Sequence, residues 1–177
     1  NPAYAGAQGS HVFSLTSRNQ WNTIEDSPKT TGLSYSVSRN NNVGLGISII
    51  SDKIFIENQT MLTIDFSYKL TLSNDGILFL GIKGGGNSYN ADPTPLLGFS
   101  EIPDPAQKSL SRFNPNMGVG FLFKIVGFWI SGSMPRLFNV KRDEDIEIQS
   151  RDRIHVYLGG GGEFKISEDF AIKPNLM

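Results

Sequence analysis

Two histidines, His11 and His155, are the first candidates for catalysis or metal binding, and they lie far apart in the sequence. A metal site would need further ligands beside each of them. The chain has no cysteine, which excludes zinc–thiolate sites, disulfide bonds and thiol catalysis for these residues. We interpret both histidines as ordinary strand residues, and the sequence predicts neither a metal ion nor a cofactor.

Two glycine runs, GGGN at residues 84–87 and GGGG at residues 159–162, could in principle hold a phosphate group. Neither is followed by Lys-Ser/Thr and a helical pattern, which a phosphate-binding loop requires. Bending of a strand or a bulge explains them better. No Ser/His/Asp set and no carboxylate pair has a recognisable catalytic spacing, so we predict that the protein is not an enzyme.

Charge gives little reason to expect nucleic acid as a partner. Lys plus Arg number 16 and Asp plus Glu number 17, for a formal net charge of -1, and no long basic run is present. The mixed-charge run KRDEDIEIQSRDR at residues 141–153 favours a solvated external loop. A contact surface for a partner protein is the alternative interpretation.

The composition disfavours long helices. Glycine accounts for 19 of 177 residues, apolar residues for 38% and charged residues for only 19%. Ser, Thr and Asn fill much of the difference, and these residues, like Gly, are poor in helix interiors. The composition therefore favours strands that carry small polar side chains on one face.

The most apolar stretch, GVGFLFKIVGFWISGSM at residues 118–134, predicts a hairpin rather than a membrane-spanning helix. A transmembrane helix needs about 20 predominantly apolar residues, whereas this stretch contains four glycines and ends at Pro135. Apolar and small residues instead alternate with a period of two, which is typical of strands. The same alternation predicts nine strands along the chain, at residues 11–21, 30–39, 43–53, 60–73, 77–87, 116–125, 127–134, 153–165 and 168–177.

Short and long connections alternate between these strands. Short turns are predicted at residues 40–42, 74–76, 125–127 and 167–169, and longer loops at 22–29, 54–59, 88–115 and 135–152. Membrane barrels have this arrangement, and a closed barrel satisfies the edges of a sheet in lipid. We therefore predict a transmembrane antiparallel up-and-down β-barrel rather than a soluble β-sandwich, whose strands are usually shorter.

The barrel prediction assigns directions to several side chains. Asp65, Lys69 and Lys124 are predicted to face inward, where Asp65 and Lys69 could pair across a lumen. Five aromatic residues are candidates for belts at the membrane surfaces, with plain packing as the alternative: Trp21, Tyr35, Tyr68, Trp129 and Tyr157.

An odd number of strands suggests that residues 1–177 are one incomplete outer-membrane barrel domain, because single-chain bacterial barrels normally have an even number. We expect a larger barrel of about fourteen strands, with sequence missing at the C-terminus. The start lacks the basic and apolar regions of a signal peptide, so we expect the signal peptide and extreme N-terminus to be missing too.

Several segments, in order along the whole chain, resemble one family. They are NPAYAG at residues 1–6, SLTSRNQW at 14–21, VGLGISIISDK at 43–53, FSYKLTLSNDGILFLGIKGG at 66–85, SMPRLFN at 133–139 and HVYLGGGGEFKISEDFAIKPNLM at 155–177. On these segments the chain resembles the PorP/SprF-type outer-membrane proteins of the type IX secretion and gliding systems. Family members are longer than this sequence.

The resemblance implies a non-enzymatic barrel, integral to the outer membrane and in contact with its lipid. Such a protein would attach, or assist the export of, a secreted cell-surface protein such as an adhesin by holding the C-terminal domain of that cargo. It would also engage periplasmic, peptidoglycan-associated components of the secretion system. A passive outer-membrane porin and a soluble β-sandwich adhesin module are the alternatives that the residues leave open.

The motifs that carry the resemblance also supply the candidate partner-binding or structural residues. These are Asn1, Pro2, Tyr4, Gly6, Arg18, Asn19, Gln20, Trp21, Pro135 and Arg136. We hypothesise that residues 18–21, which close the first strand with hydrogen-bonding or interfacial side chains, anchor the N-terminal segment or contact the cargo. Local barrel packing is the alternative.

Overall fold

The computed structural model describes residues 1–24, 26–39, 41–93, 109–138, 154–167 and 170–176. Within these ranges one 3₁₀ helix occupies Pro2–Tyr4, and the other elements are strands. The strands are β1 (Val12–Asn19), β2 (Lys29–Arg39), β3 (Val43–Ile54), β4 (Glu57–Thr71), β5 (Gly76–Ala91), β6 (Leu110–Ile125), β7 (Phe128–Met134), β8 (Tyr157–Gly162), β9 (Phe164–Lys165), β10 (Ala171–Ile172) and β11 (Asn175–Leu176). No helix within the described ranges is both long enough and apolar enough to span a membrane.

Nine strands form one antiparallel sheet in the order β1-β2-β3-β4-β5-β6-β7-β8-β11. Each strand as far as β8 pairs with its neighbours in the chain, while β9 and β10 form a separate two-stranded sheet. The predicted all-β, antiparallel, up-and-down arrangement is confirmed. The described part of the sheet is open, with β1 and β11 at its edges, as in a fragment of a barrel. The total of about fourteen strands stays a prediction.

The predicted loop at residues 54–59 is wrong, because β3 and β4 are joined by a two-residue turn, Phe55 and Ile56. Phe55 has a φ of 52°, a left-handed conformation usually taken by Gly, Asn or Asp in tight turns. A phenylalanine at this position gives no turn signal. The predicted alternation of short and long connections therefore fails at this turn.

The predicted loop at residues 88–115 is too long at both ends, because β5 continues to Ala91 and β6 starts at Leu110. Pro115 suggested a loop, since proline cannot donate a hydrogen bond to a neighbouring strand. It lies inside β6 opposite Gly86, and the ring of Phe113 covers that glycine. Residues 94–108 lie outside the described residues.

The last two predicted strands are each broken into shorter pieces. Glu163 separates β8 from β9, and Lys173 with Pro174 separates β10 from β11. Pro174 has no N–H for pairing, but its carbonyl oxygen accepts a 3.1 Å hydrogen bond from Gly162 N. The mixed-charge run at residues 141–153, Asn139 and the centre of the predicted turn at 167–169 lie outside the described residues.

The sheet has two chemically different faces. The outer face carries alternating apolar side chains that are exposed, such as Ile64 (60%) and Phe66 (40%). The inner face carries the intervening residues, which are mostly small or polar. Register aligns these inner residues across strands, as in the row formed by Ser38, Gly44, Ser67, Gly81, Gly120 and Ser133.

The apolar band on the outer face covers only part of β4 and β5. On β4 the outer residues are apolar from Leu62 to the end of the strand, whereas Asn58 and Thr60 are polar. On β5 the band stops at Ile82. The strand β5 has 16 residues, while about 9–11 tilted residues cross a bilayer. The strands β4 and β5 therefore extend beyond the apolar band on the side where β5 connects to β6, whereas the apolar outer residues of β6 continue to Phe113. This side is here called the long-connection end, and the opposite end is called the short-turn end.

Candidate functional site on the inner face of the sheet

Residues 1–9, here called the N-terminal segment, cross the inner face of the sheet. Their 3₁₀ helix packs on β4, β5 and β6. Asn1 caps this helix, because its Oδ1 accepts a 3.0 Å hydrogen bond from Ala3 N, and Pro2 occupies the first turn. Asn at a helix cap followed by Pro is a favourable start. The sequence Asn-Pro-Ala thus fixes the local conformation of the segment.

Asn1 also ties the segment to two strands. Its Nδ2 donates hydrogen bonds to the carbonyl oxygens of Phe121 on β6, at 3.1 Å, and Gly132 on β7, at 3.2 Å. One amide side chain therefore caps the helix with its oxygen and binds the sheet with its nitrogen. Aspartate, which lacks the amide donors, could not make the same set of bonds.

Glycines on three strands make room for the segment. An added Cβ would overlap the carbonyl of Ala5 at Gly44, the backbone of Pro2 and Ala3 at Gly81, and the side chain of Asn1 at Gly120. All three belong to the row of small inner residues described above. This close approach requires glycine, since any side chain would occupy the space of the segment.

A small apolar core forms under the segment. Ala3 and Leu122 are fully buried and Phe79 is 5% exposed. Beside this core, Ser67 Oγ donates a 2.5 Å hydrogen bond to the carbonyl oxygen of Ala5, and Ser67 is only 1% exposed. The segment is therefore packed as an internal element of the protein and not as a loose terminus.

The segment is also bound at the short-turn end. Lys124 Nζ donates a 3.1 Å hydrogen bond to the carbonyl oxygen of Ala7, and lies 5.6 Å from the centre of the Phe79 ring. Tyr4 OH donates to Ser131 Oγ at 3.3 Å, and the Tyr4 ring meets the Trp129 ring edge-on at 6.5 Å. Lys124 thus faces inward as predicted, and its ammonium group binds a backbone carbonyl.

Three of the predicted side-chain placements are corrected. Trp129 faces inward against Tyr4, and Tyr157 lines an inner cavity, so neither belongs to a belt on the outer face. Asp65 pairs with Lys83 on the neighbouring strand, with Nζ 3.4 Å from Oδ1, and not with Lys69. Alternation alone gave the correct face for Asp65 but could not give its partner, which depends on register.

A cavity of about 380 Å³, here called the chamber, lies on the long-connection side of the segment. Its wall is formed by Met61, Thr63, Lys83, Gly85, Gly86, Asn87, Asn114, Asn116, Pro135, Arg136, His155 and Tyr157. The ion pair of Asp65 and Lys83 is largely buried, with side chains 17% and 18% exposed. Asn87 Oδ1 is buried without a hydrogen-bond partner among the described residues. The chamber therefore presents amide and charged groups that can bind polar ligands.

Asn116 positions the motif that contains Pro135 and Arg136. Its Oδ1 accepts a 3.0 Å hydrogen bond from Leu137 N, and its Nδ2 donates to Phe138 O at 3.1 Å. The chain after β7 is thereby held beside β6, which places Pro135 and Arg136 in the chamber wall. Sequence reasoning missed Asn116, because an isolated asparagine in a strand gives no signal without its register.

The predicted group at residues 18–21 lies elsewhere, at the end of the edge strand β1. When the Gln20 side-chain amide is oriented with its oxygen toward Arg18, this oxygen accepts a 2.8 Å hydrogen bond from Arg18 Nε. Asn19 Nδ2 donates to Asn22 Oδ1 at 2.8 Å, and Trp21 is 67% exposed. The structure therefore brings Asn1, Pro2, Tyr4 and Gly6 together on the inner face and Pro135 and Arg136 beside them, but it does not bring residues 18–21 to the same place.

The two histidines also lie apart. His11 Nδ1 is 2.6 Å from Tyr35 OH, and His155 lines the chamber. Among the described residues no group of three His, Cys, Asp or Glu side chains could hold a metal ion. The described contacts of the inner face are hydrogen bonds, the ion pair of Asp65 and Lys83, and close packing of polypeptide.

Comparison with known families identifies the chain. The family described as "Type IX secretion system membrane protein PorP/SprF" matches residues 1–177. The chain belongs to the PorP/SprF family. The resemblance inferred from the sequence motifs is thus confirmed over their whole extent. Searches of curated proteins and of solved structures returned no match. As a PorP/SprF protein, the chain is a membrane component of the type IX secretion system.

Proposed function

We propose that this PorP/SprF-family protein is an outer-membrane β-barrel that attaches, or assists the export of, a secreted cell-surface protein without catalysing a reaction. The match to the secretion family over residues 1–177 carries the proposal. The cargo is held through its C-terminal domain, and periplasmic peptidoglycan-associated components complete the assembly. Residues 1–177 form part of a single barrel domain of about fourteen strands.

The two faces of the sheet support the membrane part of the proposal. A soluble protein rarely leaves a continuous apolar face exposed, yet the outer face carries Phe13, Leu33, Ile47, Ile64, Leu80 and Phe121 in exposed positions on six strands. Ion-paired Asp65 and Lys83 lie on the inner face, where they avoid the high cost of a charge in lipid. This distribution of apolar and charged residues fits a sheet whose outer face contacts lipid.

The long-connection end supports the attachment part of the proposal. The strands β4 and β5 have 15 and 16 residues, and their outer residues beyond the apolar band are small or polar. They therefore form a wall that rises out of the lipid, with the chamber on its inner side. Amide side chains in that wall are suited to the main-chain groups of a bound polypeptide.

The proposal is tested by crosslinking in living cells that express the full-length protein with an epitope tag. Outer membranes are isolated, the tagged protein is purified and its crosslinked partners are identified by mass spectrometry. We expect a large secreted surface protein together with peptidoglycan-linked secretion components. An unrelated outer-membrane barrel with the same tag is the control. Recovery of the tagged barrel alone, at high abundance, would favour a passive porin instead.

The same assay tests residues 18–21 as a cargo contact. Arg18→Ala removes the charged member of the group, whereas Arg39→Ala removes an arginine from the opposite end of the sheet. We expect a loss of crosslinked cargo with the first variant and retention with the second, at equal amounts of folded barrel. Intact folding and intact cargo retention in Arg18→Ala would remove this group from the binding surface.

A further inference from the structure

We propose that the N-terminal segment is a plug that closes the inner face of the barrel toward its short-turn end, so that the chamber opens only toward the long-connection end. The proposal concerns passage through the protein, and it goes beyond the attachment of a cargo. It makes the protein a closed barrel in its resting state.

The plug is wide enough to act across much of the sheet, because it contacts five consecutive strands. The contacts run to Gly44 on β3, Ser67 on β4, Gly81 on β5, Phe121 and Gly120 on β6, and Ser131 and Gly132 on β7. Four polar side chains donate hydrogen bonds across this contact: Asn1, Tyr4, Ser67 and Lys124.

The plug packs tightly against the sheet around Pro2 and Ala3. Pro2, Ser67 and Leu122 are each less than 2% exposed, and Ala3 is fully buried. The glycine row brings the backbone of the plug directly onto the backbone of the strands. Ions need a continuous hydrated path, and packing at this density does not provide one between the plug and the strands beneath it.

The plug and the chamber follow one another along the same strands. On β5, Phe79 and Gly81 lie under the plug, while Lys83 and Asn87 line the chamber. The chamber residues are those nearer Ala91, at the long-connection end. A ligand of the chamber must therefore enter from the long-connection end, because the plug lies between the chamber and the short turns.

The experiment measures ionic current through the purified full-length protein in planar lipid bilayers. Gly81→Val places side-chain atoms where Pro2 and Ala3 lie, and thereby displaces the plug. Gly84→Val is the matched control on the same strand, because a Cβ at Gly84 meets nothing within 4 Å. We expect no resolved current steps for the wild type and for Gly84→Val, and clear steps for Gly81→Val.

A second variant keeps the test decisive if Gly81→Val fails to fold. Deletion of residues 2–7 removes the plug while leaving every strand residue in place. Folding of each variant is checked by the heat-dependent shift of the barrel on a gel. Steady current through the wild type, equal to that of the deletion variant, would overturn the proposal. So would a folded deletion variant that conducts no better than the wild type.

The result of the current measurement can be distinguished from the result of the crosslinking experiment that tests the proposed function. Crosslinking to a cargo reports attachment, whereas bilayer current reports closure. A wild-type protein that conducts but still recovers its cargo would overturn the plug alone. A closed protein that recovers no cargo would overturn the attachment and leave the plug in place.

Discussion

The hydroxyl of Ser67 donates a 2.5 Å hydrogen bond to the carbonyl oxygen of Ala5, at the point where Gly44 leaves room for that same carbonyl. Ser67 is 1% exposed, so water cannot replace the bond. A serine on one strand and a glycine on the next thus form a socket for a single backbone group of the N-terminal segment. The pairing of Gly44 with Ser67 in the sheet register makes this possible.

The socket predicts that Ser67→Ala loosens the plug. The buried carbonyl of Ala5 would lose its partner, at a cost of about 1–3 kcal/mol. We expect a lower free energy of unfolding in urea and faster proteolysis of the N-terminal segment. Ser34→Ala is the control, because Ser34 lies on the same face away from the plug, and surface changes of this kind stay within about 0.5 kcal/mol. Equal behaviour of the two variants would contradict the prediction.

The ion pair of Asp65 and Lys83 predicts that removal of the lysine alone destabilises the protein more than removal of both charges. Lys83→Met leaves a largely buried carboxylate without its cation, which costs about 3–5 kcal/mol in folding free energy. Replacing both groups, as Asp65→Asn with Lys83→Met, removes the unpaired charge, and we expect most of the stability to return. Urea unfolding of the single and double variants measures the difference.

An exposed ion pair in the same protein provides the control for that prediction. Lys173 Nζ lies 3.3 Å from Glu163 Oε1, but the side chains are 62% and 43% exposed. Lys173→Met should therefore cost no more than about 1 kcal/mol. A loss as large as that of Lys83→Met would mean that burial does not control the energetics of these pairs.

The sequence predicted the strands and their faces but not what binds to the inner face. Alternation is local, so Asp65 and Lys124 could be assigned inward from a few residues on either side. The socket for the N-terminal segment depends on register, which aligns Gly44, Ser67 and Gly81 across three strands. Each residue by itself resembles the small polar lining of any barrel. The ten predicted site residues were found by resemblance to the family. Their positions in the structure show that residues 18–21 lie apart from the other six.

The turn at Phe55 shows a second limit of reasoning from sequence. Its φ of 52° is held by the surrounding structure, since Phe55 N donates a 3.2 Å hydrogen bond to the carbonyl oxygen of Asp26 in the connection between β1 and β2. Tertiary contacts of this kind override the local preference of the residue. Strand ends defined by such contacts cannot be located from periodicity.

The plug predicts that an engineered disulfide bond will form between the N-terminal segment and β3. The Cβ of Ala5 lies 3.4 Å from the position of a Cβ added to Gly46, close to the roughly 3.5–4.5 Å of disulfide bonds. The chain has no cysteine, so Ala5→Cys with Gly46→Cys introduces one defined pair. We expect near-complete oxidation, measured as protection from a thiol-reactive maleimide. Ala5→Cys with Gly84→Cys is the control, since Gly84 lies on the outer face; oxidation of both pairs would show that the segment is not docked.

The division between the faces predicts how the protein responds to a new charge. Ile64 lies within the outer apolar band and is 60% exposed, so Ile64→Arg would place a guanidinium group in lipid. An arginine at the bilayer midplane costs about 2–4 kcal/mol in folding free energy. Ser34→Arg, on the inner face, should cost much less because the group can reach water. Unfolding by urea in lipid vesicles gives both values.

The same two variants also separate a membrane barrel from a soluble sandwich. In a sandwich the apolar side chains around Ile64 would face a protein core, and Ile64→Arg would destabilise the protein equally in vesicles and in water. In a barrel the penalty depends on the bilayer, so it should fall when the vesicles are replaced by a detergent that lets water reach the introduced group. A penalty that does not change with the surrounding medium would therefore count against lipid as the solvent of the outer face.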